Sequence, residues 1–185
     1  MSTKYKFANP EGIYFVTFAV VEWVDVFTRQ VYRDILIESF RHCTREKGLA
    51  IHGYVIMSNH VHLIISSKGI QSLPAIMRDM KKFSSVKIIQ EIIGNRSESR
   101  RNWMLRIFSD AGKANGNNTH YQFWEQENHP IELHPNSSLF SQKLEYIHQN
   151  PVKAGLVAEA ADYLYSSASN YQEKGGILME VECYY

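Results

Sequence analysis

The run Ser58-Asn59-His60-Val61-His62-Leu63-Ile64-Ile65 limits this chain more than any other stretch. From Val61 onward it is apolar and rich in β-branched residues, the mark of a buried strand. Residues 49–57 have the same character and Ser58-Asn59 is a short turn, so residues 49–66 read as a β-hairpin. Side chains alternate along a strand, which sets His60 and His62 side by side on one face and turns Val61 to the other. Two neutral imidazoles on a stiff backbone form part of a metal site. Alone, such a pair is more often two ordinary histidines, exposed at a strand end or hydrogen-bonded in a core.

The rest of the chain gives the pair its setting. Residues 1–12 are a polar leading segment that ends in the turn-forming Asn9-Pro10-Glu11-Gly12. Residues 13–21 are β-branched and aromatic and predict a first strand. Val31, Ile35, Leu36, Phe40 and Cys43 recur at helical spacing over residues 28–47, with Thr28 as N-cap and Gly48 as stop. After the hairpin, residues 72–93 predict a second helix with Arg78, Lys81, Lys82 and Lys87 on its polar face. Residues 95–119 read as an insertion, with a short apolar segment at 103–108 and a loop from Ala111 to Asn118. Tyr121-Gln122-Phe123-Trp124-Glu125 restarts a strand pattern. Ser137 or Ser138 caps a third helix through Gln149, and Pro151 disfavours helical geometry at Asn150. Residues 171–185 form a weakly patterned tail.

Strand, helix, strand, strand, helix, strand and a last helix make the βαββαβ ferredoxin-like plan. This is an α+β fold, an antiparallel sheet with helices on one face, in which the histidine pair occupies a central strand. With 185 residues the chain is expected to be one domain, its core about 10–170. A hydrophobic fraction of 44% suffices for a core. The sequence has neither an apolar run of transmembrane length nor a signal-peptide pattern, and Cys43 and Cys183 form no CxxC. A reduced, cytoplasmic setting without membrane contact is therefore expected.

Net charge is only +1, but it is unevenly spread. Residues 1–113 hold 17 Lys and Arg against 10 Asp and Glu, a net of +7; residues 114–185 hold 3 against 9, a net of −6. Arg78, Lys81, Lys82, Lys87, Arg100 and Arg101 fall within the basic part. Local field is what a phosphate feels, so a nearly neutral molecule can still carry a phosphate-binding face. A solvated helix face beside a basic loop accounts for the charges equally well.

The second unusual stretch is Leu144-Glu145-Tyr146-Ile147-His148-Gln149-Asn150-Pro151-Val152-Lys153-Ala154-Gly155. Four residues apart on a helix, Tyr146 and Asn150 share a face. An amide oxygen is a hard neutral ligand; with two imidazoles it leaves coordination positions open to a phosphodiester. A phenol one turn away is placed to attack that phosphorus, although its ordinary pKa of about 10 demands help from a cation or a base.

His60-Val61-His62 within Met57 to Ile65, together with Tyr146-Ile147-His148-Gln149-Asn150-Pro151-Val152-Lys153-Ala154-Gly155, resembles the single-tyrosine HUH transposases of bacterial insertion sequences. Within them the chain looks closest to the REP-associated tyrosine transposases. Phe123-Trp124-Glu125 and Met80-Lys81-Lys82-Phe83 extend the resemblance. It implies that His60, His62 and Asn150 hold Mg²⁺ or Mn²⁺, and that Tyr146 is the catalytic nucleophile on single-stranded or hairpin DNA. Tyr146 would keep a 5′-phosphotyrosine link and release a 3′-hydroxyl, which allows rejoining without ATP. The resemblance further implies a homodimer. The DNA contacts it suggests are Arg78, Lys81, Lys82, Lys87, Arg100, Arg101 and Lys153, with Trp103 stacking bases.

Ser58 stands where relatives often have proline, residues 95–119 look longer than in compact members, and the acidic C-terminal part has no counterpart. Three other readings compete. A replication-initiator or relaxase-type nickase shares the histidine pair. A non-catalytic hairpin binder could keep the fold. A zinc-stabilised module would need a further ligand such as His52, His120 or His148.

Overall fold

In the computed structural model, residues 7–116, 120–126, 128–178 and 180–184 are described. Residues 1–6 of the leading segment, 117–119 of the expected loop, and Met179 and Tyr185 of the tail lie outside them. Strand β1 (Ile13–Ala19) leads through two short 3-10 turns into helix α1 (Gln30–Lys47), then to β2 (Leu49–Ile56) and β3 (His60–Ser67). Helices α2 (Leu73–Gly94) and α3 (Arg101–Ala114), strand β4 (Ile131–Leu133) and helices α4 (Ser138–Lys153) and α5 (Ala168–Tyr171) follow. The sheet order is β2-β3-β1-β4 with every neighbouring pair antiparallel, as the ferredoxin-like plan requires. β3 is an inner strand, so the histidine pair stands on backbone that is hydrogen-bonded on both sides.

Alternation along β1 divides the core into two halves. Phe18 turns to the α2 side, where it meets Trp124 and the Lys81 ammonium. Phe15 turns the other way and meets His62 and Tyr146 of α4. The sheet is thus covered on both faces, and α4 closes the face that carries the histidines. Gly53 of β2 lets α4 approach, since a Cβ there would lie 2.9 Å from Leu144 Cδ1.

Helix ends follow their caps. Gly48 stops α1 in the left-handed region at φ 73°. The first turn of α1 differs from expectation: Thr28 hydrogen-bonds Asp25 O within a 3-10 turn, and α1 begins after Arg29. Ser137 caps α4 by accepting from the Phe140 amide at 3.1 Å.

Three expectations are corrected. The fourth strand is the three-residue Ile131–Leu133, and Tyr121 to Glu125 is a run whose Phe123 and Trp124 are buried in an aromatic cluster with Phe27. The loop expected from Ala111 is helical up to Ala114; Met104 and Phe108 anchor α3 in the core, and Gly112 lets the His120 backbone pass close by. Helix α4 continues through Pro151 to Lys153. It closes with the Leu156 amide bonded to Pro151 O and the Gly155 amide bonded to Val152 O, with Gly155 at φ 70°. Pro151 costs only one bond near the helix end, a loss the last turn tolerates.

Candidate active site

β3 delivers His60 and His62 onto the α4 face with ring centroids 4.8 Å apart, while Val61 is buried on the opposite face. The tautomer of His60 follows from its partner. Asn59 Nδ2 donates to Trp23 O at 3.2 Å, so Asn59 Oδ1 is the atom 2.7 Å from His60 Nδ1, which carries the hydrogen. The lone pair of His60 is left on Nε2. His62 Nδ1 lies 2.7 Å from Thr17 Oγ1, and its Nε2 is buried without any hydrogen-bond partner. A buried imidazole nitrogen oriented from behind by a hydroxyl and left unpaired in front has the character of a metal ligand.

Electrostatics keep the pair ready for a cation. Burial, then the neighbouring His60 and the Lys143 ammonium, push the His62 pKa down to about 3. Burial lowers that of His60 as well. Both rings are therefore neutral near pH 7, the state that ligation requires.

α4 carries the other two expected residues, Tyr146 and Asn150. The Tyr146 ring stands edge-on to His62 at 5.1 Å and is 41% exposed, so its phenol is accessible from solvent. Asn150 is half-buried one turn on; its Nδ2 donates to Tyr146 O at 2.7 Å, which fixes the orientation of the amide. Two imidazoles with an amide oxygen fit a hexacoordinate divalent ion that keeps open positions. Among the described residues no group of three His, Cys, Asp or Glu is placed to hold a metal. His52 bonds Glu182 O and Ser66, and His148 bonds Ser167 at 2.9 Å, so both are engaged elsewhere and the zinc-module reading loses two of its candidate ligands.

Two neighbours went unnoticed in the sequence. Lys143 lies one turn before Tyr146, with Nζ 4.7 Å from the Phe15 ring centroid and 5.8 Å from that of Tyr146. Trp23 meets His60 edge-on at 5.8 Å and is 60% exposed. The spacing of Lys143 to Tyr146 signals only a helix face, and Trp23 falls between the strand read over residues 13–21 and the helix read from Thr28, in a stretch without a pattern of its own.

The basic residues divide into two groups. Lys81 points inward: its Nζ donates to Glu125 O and Asn128 Oδ1 at 2.7 and 2.8 Å, and burial pushes its pKa down to about 8. Arg100 is held by Asp25 and Glu98, a buried carboxylate that also pairs with Arg29. The charges of Lys81 and Arg100 are thus engaged within the fold, and Arg78, though exposed, pairs with Asp79 at 3.1 Å. Arg78 and Lys82, with Lys81, line a cavity of 1080 Å³ between α2 and residues 120–126. Lys87 lies exposed beyond Phe83, and Arg101 and Trp103 begin α3, with Trp103 50% exposed. Lys153 ends α4 in solvent, well along the helix from Tyr146.

Fold and site together define an α+β protein of ferredoxin-like plan with a paired-histidine strand facing a tyrosine-bearing helix. Residues 12–115 match the family described as "Transposase IS200 like", and the chain belongs to that family. The matched stretch contains the histidine pair and ends before Tyr146. Its fold is shared with a REP-associated tyrosine transposase bound to a REP hairpin, at a TM-score of 0.61 and 18% identity, over 98% of this chain and 92% of that one. A protein from Deinococcus radiodurans R1 described as a transposase aligns at a TM-score of 0.44 and 17% identity, over 79% of this chain and 95% of that one. No curated protein matches. Among the described residues no helix is long and apolar enough to cross a membrane.

Proposed function

We propose that this transposase cleaves and rejoins single-stranded DNA through Tyr146. The observation that carries the reading is the Tyr146 phenol edge-on to His62, whose buried Nε2 lacks a partner. His60, His62 and Asn150 would hold Mg²⁺ or Mn²⁺, which supplies Lewis-acid polarisation of the scissile phosphate. Tyr146 Oη gives up its proton to solvent and attacks phosphorus, the bond from phosphorus to the 3′-oxygen breaks, and the leaving oxygen takes up a proton from solvent as a 3′-hydroxyl. The 5′ end stays on the enzyme as a phosphotyrosine. A 3′-hydroxyl from another strand reverses the step and joins the DNA.

Lys143 adds a cation beside the phenol and the phosphate, where negative charge grows during attack. Arg78, Lys82, Lys87 and Arg101 attract the DNA backbone, on a substrate of hairpin-forming repeat DNA. The protein would work in the cytoplasm as a homodimer, whose two tyrosines serve two strand ends.

The test is incubation with labelled hairpin oligonucleotides carrying single-stranded flanks, with Mg²⁺ or Mn²⁺, followed by denaturing electrophoresis. A covalent adduct is expected that requires the metal and disappears in the His60→Ala, His62→Ala double variant. An adduct that forms equally well in that variant would overturn the metal assignment.

A further inference from the structure

Beside the histidine pair lies a second cavity, of 810 Å³, lined by Thr17, Ala19, Trp23, Gln122, Glu125 and Gln126 among others. Its floor is the histidine side of β1. Thr17 is paired across the ladder with His62, and Ala19 with His60. One wall is formed beside β1 past Phe15, where β4 no longer pairs with it, by residues tied through the Glu125 amide to Ala19 O and through the Thr17 amide to Asn128 O. The opposite rim is the Trp23 indole. We infer that this cavity is a nucleobase subsite for a nucleotide flanking the scissile phosphate, with Trp23 as its stacking platform and Glu125 as reader of an amino-bearing base edge.

Four features support the assignment. First, Trp23 is mostly exposed although it stands between the buried Val21 and Val24, and its ring touches His60. Second, Glu22 and Trp23 hold φ of 53° and 54°, the left-handed region that a bulky residue seldom occupies. That backbone is fixed from several sides. The Val21 amide bonds Phe123 O, the Trp23 amide bonds Val20 O, and Asn59 Nδ2 holds Trp23 O. Strain kept in place by its surroundings at a site marks a functional constraint.

Third, the cavity is of ligand size, and among the described residues its lining, which also includes Ala114, Asn115, Gly116 and His129, is polar or small and holds no lysine or arginine. Such a lining disfavours phosphate and suits base edges, since a carboxylate accepts from the exocyclic amino group of cytosine. Fourth, Asn59 couples cavity and metal pair, because one amide holds the Trp23 carbonyl and orients His60. A base on Trp23 therefore sits next to the reacting phosphate. Stacking on an aromatic face accepts any base, while Glu125 selects among them.

The inference rests on the DNA-cleavage reading, and binding measurements separate the two. Short dC and dT homopolymers are titrated, in Mg²⁺, into the non-cleaving Tyr146→Phe protein and into the same protein with Trp23→Ala, Trp23→Phe or Glu125→Gln. Tighter binding of dC than dT is expected; Trp23→Ala weakens both by about tenfold, in line with base stacking. Trp23→Phe restores most of the loss, and Glu125→Gln narrows the gap between dC and dT. Equal affinity of Trp23→Ala and its parent, with no preference for dC, overturns the subsite while leaving adduct formation intact. A wild-type protein that binds neither homopolymer and forms no adduct overturns both readings.

Discussion

At the residue scale, Tyr146, His60 and Lys143 come together around one ring, His62, and the proposed chemistry is built on that meeting. Each ring has a partner that orients it, Thr17 for His62 and Asn59 for His60. The Tyr146 and Asn150 spacing and the His60 and His62 alternation were legible because they depend only on helical and strand periods. Lys143 was not legible: a lysine three residues before a tyrosine is ordinary helix surface until Phe15 is known to lie beneath it. Trp23 was hidden for another reason, since its exposure comes from two left-handed residues that interrupt a run of valines. If the Lys143 ammonium stabilises charge in the transition state, Lys143→Gln slows adduct formation about tenfold, or about 1.4 kcal/mol. Single-turnover rates at saturating DNA check this, with thermal melting unchanged. A wild-type rate would remove Lys143 from the mechanism.

At the scale of elements, activity depends on how α4 docks against β2 and β3. Gly53 is the close-approach point, with Leu144 of α4 directly above it. Gly53→Val therefore forces α4 outward and moves Tyr146 from His62. Overpacking of this kind costs about 1–3 kcal/mol, and the adduct rate is expected to fall much further than the melting temperature suggests. A folded Gly53→Val protein with the wild-type rate would show that α4 docking is not limiting. The hairpin and the two long helices were readable from periodicity. β4 was not, because three residues at a sheet edge carry no period, whereas Phe123 and Trp124 imitate a strand while packing as an aromatic cluster. α3 was obscured by Gly112, which serves close packing against the His120 backbone rather than a chain break.

At the scale of the whole molecule, the uneven charge and the buried histidines set the response to solution conditions. The basic N-terminal part and acidic C-terminal part were visible in sequence, but which charges remain available was not. Lys81 is consumed in holding Glu125 and Asn128, and Arg100, at the start of α3, in pairing with Asp25. His148 is buried against Ser167, and burial lowers its pKa to about 4; burial lowers that of His52 too. The unfolded chain, with histidine pKa near 6.5, takes up protons first as pH falls. The stability from a neutral His148 is thus complete above about pH 6.5 and is lost as pH falls toward about 4. Urea denaturation is expected to show a loss of about 2 kcal/mol between pH 7 and pH 5 from this residue, and His148→Gln should lessen the slope by that share while His62 and His52 keep theirs. A slope undiminished in His148→Gln would show that His148 does not contribute.

The central claim is that one tyrosine becomes covalently joined to DNA. Digestion of the purified adduct by protease and nuclease, followed by mass spectrometry, addresses it directly. The expected result is a 5′-phosphonucleotide on the peptide that contains Tyr146, absent from Tyr146→Phe, with a 3′-hydroxyl on the released strand. A modification on any other residue, or an adduct that persists in Tyr146→Phe, would contradict it.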